Sequence, residues 1–211
     1  MKPASAPHIL ITGFGPFPGA PANPAAGLAR DLARLRRPAL AGTRRSLRIL
    51  PTLWEEAAGF PSTLDTLAPD IVLMIGLAAR RRAVSIEWLG RNRTRLLPDA
   101  ARRRPADSRF EVGAAAIRRG GFDPAPLLHA LAAAGLPARL SRDAGGYVCN
   151  ALAWSAYGWA RHGEHPRLTV FVHIPRPRAG GRLDRGRMLR GLGNLMVRLV
   201  AQHRLMAATA R

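Results

Sequence analysis

Ile71-Val72-Leu73-Met74-Ile75, closed by Gly76, is an unbroken apolar run. A strand with one face in water alternates apolar and polar residues. A run without alternation is covered on both faces, as the central strands of a parallel sheet are. Outward from it, His8-Ile9-Leu10-Ile11-Thr12, ended by Gly13, and Thr169-Val170-Phe171-Val172-His173-Ile174-Pro175 read the same way. Leu47-Arg48-Ile49-Leu50 and a short piece at Arg139-Leu140-Ser141 are weaker strand candidates.

Helical patterns lie between these runs. Asn23-Pro24 is an N-cap with proline at the first helical position, followed by Ala25, Leu28, Leu32 and Leu35 on one face. Asp123-Pro124 repeats the signal, with Leu127, Leu128 and Leu131 behind it and Gly135 as a stop. Further helices are expected over about Trp54–Leu67, interrupted at Pro61, over Val148–Arg161, and over Arg187–Leu205. Ala83–Leu89 alternates, with Val84, Ile86 and Trp88 on one face and Ser85, Glu87 and Leu89 on the other. Residues 91–122 show little periodicity, and a long irregular segment inside a compact domain is often functional. Strands alternating with helices imply an α/β fold, a mostly parallel sheet between helix layers. There is no internal repeat and no linker, so residues 1–211 are expected to form a single domain, with 1–7 disordered.

The formal charge of +20 raises a nucleic-acid reading. Lys2 is the only lysine among the 33 basic residues, and the arginines are dispersed as Arg36-Arg37, Arg44-Arg45, Arg80-Arg81-Arg82, Arg102-Arg103-Arg104 and Arg118-Arg119. Aromatic residues are not interleaved with them as a stacking platform requires. A solvated arginine-rich surface is the better reading, with no specific nucleic-acid partner; attraction to polyanions would be lost at moderate salt. One cysteine excludes an intramolecular disulfide and favours a reducing compartment. Met1–Pro7 has no apolar core and is not a secretory signal, and no apolar stretch approaches the roughly 18 residues of a membrane span. A cytoplasmic location is expected.

Cys149 stands in Asp143-Ala144-Gly145-Gly146-Tyr147-Val148-Cys149-Asn150, just ahead of a helical stretch. A helix N-terminus stabilises a thiolate, which lowers the thiol pKa and makes a nucleophile. A lone Cys with a His distant in sequence is a candidate nucleophile and base, and His173 ends an apolar strand. The competing reading is an inert core cysteine. Glu87 lies on an otherwise apolar strand; it is an exposed position unless His173 is close, in which case it could orient the imidazole. Gly13-Phe14-Gly15-Pro16-Phe17-Pro18-Gly19 has the wrong spacing for a dinucleotide loop, and its prolines remove N–H donors. It is either a loop packing its own phenylalanines or an apolar pocket. Arg161-His162-Gly163-Glu164-His165 lacks the spacing of a zinc motif and reads as the polar end of a helix.

Four blocks together resemble the pyroglutamyl peptidase (pyrrolidone carboxyl peptidase) family of cysteine exopeptidases: Thr12-Gly13-Phe14-Gly15-Pro16-Phe17 with Asn23-Pro24; Gly76-Leu77-Ala78 with Arg81, Glu87 and Asn92; Ala144-Gly145-Gly146-Tyr147-Val148-Cys149-Asn150; and Phe171-Val172-His173-Ile174-Pro175. The resemblance implies a three-layer αβα sandwich of the phosphorylase/hydrolase-like type and removal of N-terminal pyroglutamate from peptides. It implies a triad of Glu87, Cys149 and His173, and a lactam pocket lined by Phe14, Phe17, Tyr147 and Val148. It implies no metal or cofactor, and a homo-oligomer, since family members often form tetramers.

The chain departs from the family at Ala79-Arg80, where Gly-Gly is usual, and at Gly146, where threonine or a similar residue is usual. Its only candidate for a further family arginine is the out-of-register Arg95. The Ala79-Arg80 change is expected to slow turnover. The alternative reading is a weakly catalytic or inactive relative whose basic surface binds an acidic partner.

Overall fold

A computed structural model describes residues 6–163 and 165–210. Its elements in chain order are β1 (His8–Phe14), α1 (Pro24–Arg34), β2 (Arg44–Leu50), α2 (Trp54–Leu67), β3 (Ile71–Leu77), β4 (Val84–Glu87), β5 (Leu89–Arg91), β6 (Ile117–Arg119), α3 (Pro124–Ala132), β7 (Ala138–Ser141), α4 (Val148–Arg161), β8 (Leu168–Ile174) and α5 (Arg185–Thr209). The main sheet has the order β2-β1-β3-β8-β4-β7. Strands β2, β1, β3 and β8 run parallel, β4 is antiparallel to β8, and β7 is parallel to β4. Helices α1, α3 and α5 pack together on one face, and α2 and α4 cover the other. The result is the three-layer αβα sandwich. The β5–β6 ribbon lies beside α4.

The unbroken apolar runs are the central strands. In β3, Ile71 to Ile75 are fully buried, and all of β8 is buried as well. β2 stands at the sheet edge and is largely exposed, which is why its sequence carries Arg44, Arg45 and Arg48. Both expected N-caps form. Asn23 accepts from the Ala25 N–H at 3.1 Å and Asp123 from the Ala125 N–H at 3.0 Å. Asn23 also donates to the Gly15 carbonyl at 3.0 Å, tying the 13–19 loop to the head of α1. Gly135, with φ +75°, sits just beyond α3 as expected.

Several details differ from the sequence reading. Pro61 does not interrupt α2. It removes one intrahelical donor, but Ala57, Phe60 and Leu64 remain fully buried and hold the helix on the layer. The alternating strand breaks at Trp88 into β4 and β5, and 91–122 contains β6, which pairs antiparallel with β5. α5 begins earlier than expected because Asp184 caps it through the Arg187 N–H at 3.0 Å. Pro7 is buried, and its carbonyl accepts the Arg44 N–H at 3.0 Å. Residues 1–5 of the segment expected to be disordered, and Glu164 of the polar helix end, lie outside the described residues. Among the described residues no helix is long and apolar enough to cross a membrane.

Gly13 lies where α1 crosses β1. A Cβ there would stand 2.6 Å from the Ala25 carbonyl oxygen, a backbone atom that cannot step aside. Gly13→Ala should therefore destabilise the fold by about 1–3 kcal/mol through overpacking, read as a lower midpoint in urea unfolding. An unchanged midpoint would show that α1 can move away freely.

Candidate active site

The carboxyl ends of parallel strands are where α/β proteins hold their ligands. Here Gly76 of β3 and His173 of β8 are register partners at that end. Cys149 is the second residue of α4, whose N-cap is Tyr147. The loop before it is shaped by Asp143, whose side chain accepts the Gly145 N–H at 2.9 Å, with Gly145 at φ +92°. Burial pushes the Asp143 carboxyl up, but the Gly145 N–H and Arg93 at 2.7 Å outweigh it and hold it below the usual range.

Glu87 is completely buried and His173 almost so. Their side chains meet with Nδ1 of His173 2.7 Å from Oε1 of Glu87. A carboxylate at Nδ1 assigns the proton to that nitrogen and leaves Nε2 as an acceptor. The Arg81 guanidinium forms an ion pair with the same Glu87 oxygen and donates to the Asp143 carbonyl at 2.8 Å. Arg81 therefore ties the carboxylate to the loop that carries Cys149. Tyr157 of α4 donates its hydroxyl to the Glu87 carbonyl at 2.5 Å and accepts the Phe171 N–H at 3.2 Å. It bridges β4 and β8 where Glu87 and Phe171 pair. Asn150, fully buried, accepts the Arg91 N–H at 2.9 Å and donates to the Arg91 carbonyl at 2.7 Å, fixing β5 to the start of α4.

The Cys149 sulfur rests on Gly76. A Cβ at Gly76 would be 3.2 Å from that sulfur and 2.8 Å from the Phe171 ring. The rings of Phe171 and His173 are themselves 4.9 Å apart. Sulfur, Phe171 and His173 thus share the α4 face of the sheet. Cys149 as a residue is only partly covered, but its sulfur is turned inward. Burial pushes the thiol up to about 12, the Glu87 charge adds to that, and Arg81 partly offsets it. This reverses the expected lowering. The helix end offers about 0.3–1 kcal/mol to a negative charge, whereas desolvating an ion costs several kcal/mol.

A cleft of about 660 Å³ opens beside the Cys149 loop, walled by Phe17, Pro18, Leu97, Pro98, Asp99, Arg102, Arg104 and Tyr147. Phe17 and Tyr147 line it; Phe14 and Val148 belong to the buried core and are not among its walls. Tyr147 donates to the Pro98 carbonyl at 3.0 Å and packs edge-on against Trp54, ring centres 5.4 Å apart. Trp54 in turn donates through its ring nitrogen to the Leu97 carbonyl at 3.0 Å. The irregular 91–122 segment therefore builds one wall of the cleft.

Two of the sequence departures are accounted for. Arg95 donates its N–H to the Gly146 carbonyl at 2.8 Å, and its Cγ would stand 2.6 Å from a Cβ at Gly146. Glycine at 146 makes room for an arginine laid across the Cys149 loop. Ala79 and Arg80 are exposed, and neither is among the non-glycine residues with positive φ, which are Ala68, Leu96 and Arg102 among the described residues. That turn accepts side chains without backbone strain, so steric slowing has no support there. The sequence reading missed Trp54, Asp99 and Tyr157; a buried polar aromatic within an apolar helix was the available signal for Tyr157.

The sequence profile of the family described as "Pyroglutamyl peptidase" matches residues 7–179. The chain is 34 % identical over 172 residues to "Pyrrolidone-carboxylate peptidase 1" of Ralstonia nicotianae, covering 80 % of this chain and 78 % of that protein. It is 36 % identical over 175 residues to the "Pyrrolidone-carboxylate peptidase" of Deinococcus radiodurans, covering 80 % and 78 %. Among solved structures, a variant pyrrolidone carboxyl peptidase from P. furiosus superposes with a TM-score of 0.82 at 24 % identity, covering 92 % of this chain and 99 % of that one. Pyroglutamyl Peptidase I of Bacillus amyloliquefaciens gives 0.81 at 22 % identity, covering 93 % and 98 %. The chain belongs to the pyroglutamyl peptidase family.

Proposed function

We propose that this chain is a cysteine exopeptidase that removes N-terminal pyroglutamate from peptides, with Cys149 as nucleophile, His173 as base and Glu87 as its orienting carboxylate. The observation that carries the reading is the hydrogen-bonded His173–Glu87 pair on the sheet face where the Cys149 sulfur lies. The relatives named above are all peptidases, so the alternative of a basic binding protein gains nothing from them. The lone cysteine favours a reducing, cytoplasmic setting. Assembly as a homo-oligomer belongs to the same reading.

The chemistry is acyl transfer. The lactam ring enters the cleft against Phe17 and Tyr147, presenting the carbonyl to Cys149. Because the resting thiol is held protonated, it is activated by proton transfer to Nε2 of His173 as the bond forms. The imidazolium is stabilised through Nδ1 by Glu87. The first N–H groups of α4, at Val148 and Cys149, have no carbonyl one turn behind them and suit the developing oxyanion. His173 returns its proton to the departing amine, and water then releases pyroglutamate from the thioester.

A fluorogenic pyroglutamyl amide should be hydrolysed and its prolyl analogue spared, because a site that hydrogen-bonds the lactam loses those partners with proline. Cys149→Ala should abolish turnover, and Glu87→Gln should lower kcat by about 10²–10⁴-fold through loss of imidazole orientation. Equal cleavage of the prolyl amide, or full activity in Cys149→Ala, would overturn the assignment.

The thiol itself gives a second test. Its pKa is raised, so the thiolate fraction near neutrality is smaller than that of a free cysteine. Alkylation of the substrate-free protein by iodoacetamide should be slower than that of a free thiol at pH 8. It should still be climbing above pH 9, past the free-thiol midpoint of about 8.5. A plateau below pH 7 would show instead a resting thiolate–imidazolium pair.

A further inference from the structure

β3 and β8 leave the sheet side by side. Beyond the Gly76–His173 pair, Leu77 pairs with Ile174, and the Ala78 N–H donates to the Ile174 carbonyl at 2.8 Å. The two segments that follow, with Leu183 folded back onto the Arg178 N–H at 3.1 Å, enclose a cavity of about 350 Å³. Its walls are Ala79, Arg81, Arg82, Arg176, Arg178 and Leu183. Four of these are guanidinium side chains and none is a carboxylate.

Arg81 is committed to Glu87. Among the described residues, no carboxylate lies within ion-pair distance of Arg82, Arg176 or Arg178, whereas Arg93, Arg185 and Arg187 each have one and Arg103 has two. Like charges gathered around a concave surface focus a positive potential, which an anion relieves. The guanidinium fork matches a carboxylate in particular.

The position of the cavity gives the anion its identity. In the sheet order β1, β3 and β8 are consecutive. Phe17 of the cleft follows β1, the Cys149 sulfur rests on Gly76 of β3, and the arginine cavity follows β3 and β8. A peptide whose ring packs against Phe17 and Tyr147 of the cleft and whose scissile carbonyl meets Cys149 then leads its next residue toward Arg82, Arg176 and Arg178. Resting on the peptidase reading above, we infer that this cavity binds a carboxylate on the leaving residue, so that the favoured substrates carry negative charge immediately after pyroglutamate. That carboxylate comes either from an acidic side chain or from the C-terminus of a dipeptide.

Four substrates separate these sources: pyroglutamyl-alaninamide, pyroglutamyl-lysinamide, pyroglutamyl-alanine with its free carboxylate, and pyroglutamyl-glutamate α-amide with only its side-chain carboxylate. One or both carboxylate-bearing peptides should exceed the alaninamide by about tenfold in kcat/KM, the worth of one partly exposed charge-assisted pairing, with the lysinamide lowest. The carboxylate source that gains is the one the cavity reads. In Arg176→Ala/Arg178→Ala, or in the bulkier Arg176→Gln/Arg178→Gln if the first does not fold, the ratio of anionic to neutral substrate should fall toward one. The same order should appear in calorimetric affinities for the Cys149→Ala protein, which needs no turnover.

If all four peptides are cleaved equally, or if the preference survives the double substitution, the inference fails while the peptidase assignment stands. If none is cleaved, the assignment fails, and the affinities alone decide the cavity: equal affinities overturn it.

Discussion

A carboxylate with no exposed surface stands in the middle of this protein, and the arrangement around it follows from giving it partners. Glu87 is enclosed by β8, α4 and the Arg81 loop. An isolated buried carboxylate costs several kcal/mol or gives up its charge. Arg81 and His173 converge on one of its oxygens, and Tyr157 holds its backbone carbonyl. Three elements are thereby fixed against one another at the carboxyl edge of the sheet. Arg81 extends the constraint to the Asp143 carbonyl, hence to the loop that presents Cys149. The ion pair is therefore a registration device, a use for which buried pairs are suited even when they add little net stability.

The same enclosure explains why the Cys149 thiol pKa is raised. A sulfur packed on Gly76, near the Glu87 carboxylate, loses more by desolvation and repulsion than the α4 terminus returns.

Much of this was legible in the sequence. Ile71–Ile75 and the β8 run announced covered strands, and Asn23-Pro24 and Asp123-Pro124 marked two helix starts, because these signals are local and the tertiary structure agrees with them. The order of the strands was not legible. Nothing local in Val84–Glu87 says that it runs antiparallel to β8, yet this reversal brings Glu87 to His173. Periodicity placed Glu87 on a strand face and left its exposure to depend on whether His173 was close; His173 is close, and both faces of that strand are covered. The thiol pKa was misread for a similar reason. A helix terminus is visible in sequence, whereas the depth to which a side chain turns inward depends on a glycine seventy-three residues away, on another strand. Residues 91–122 lacked periodicity because they serve as a wall, held by contacts such as Tyr147 with Pro98 and Asn92 with the Glu111 carbonyl at 2.6 Å, not by a repeating face.

The inward-facing sulfur also bears on chemical durability. Peroxide attacks thiolates far faster than thiols, so a cysteine's place on the ladder from sulfenic to sulfonic acid is set by how much of it is ionised and how open it is. Cys149 is only partly covered, but burial of its sulfur raises the thiol pKa and so lowers the ionised fraction. With no second cysteine in the chain to resolve a sulfenic acid as an internal disulfide, oxidation at this position would lead toward irreversible loss. The burial that raises the thiol pKa thereby also slows the attack of oxidants on this sulfur.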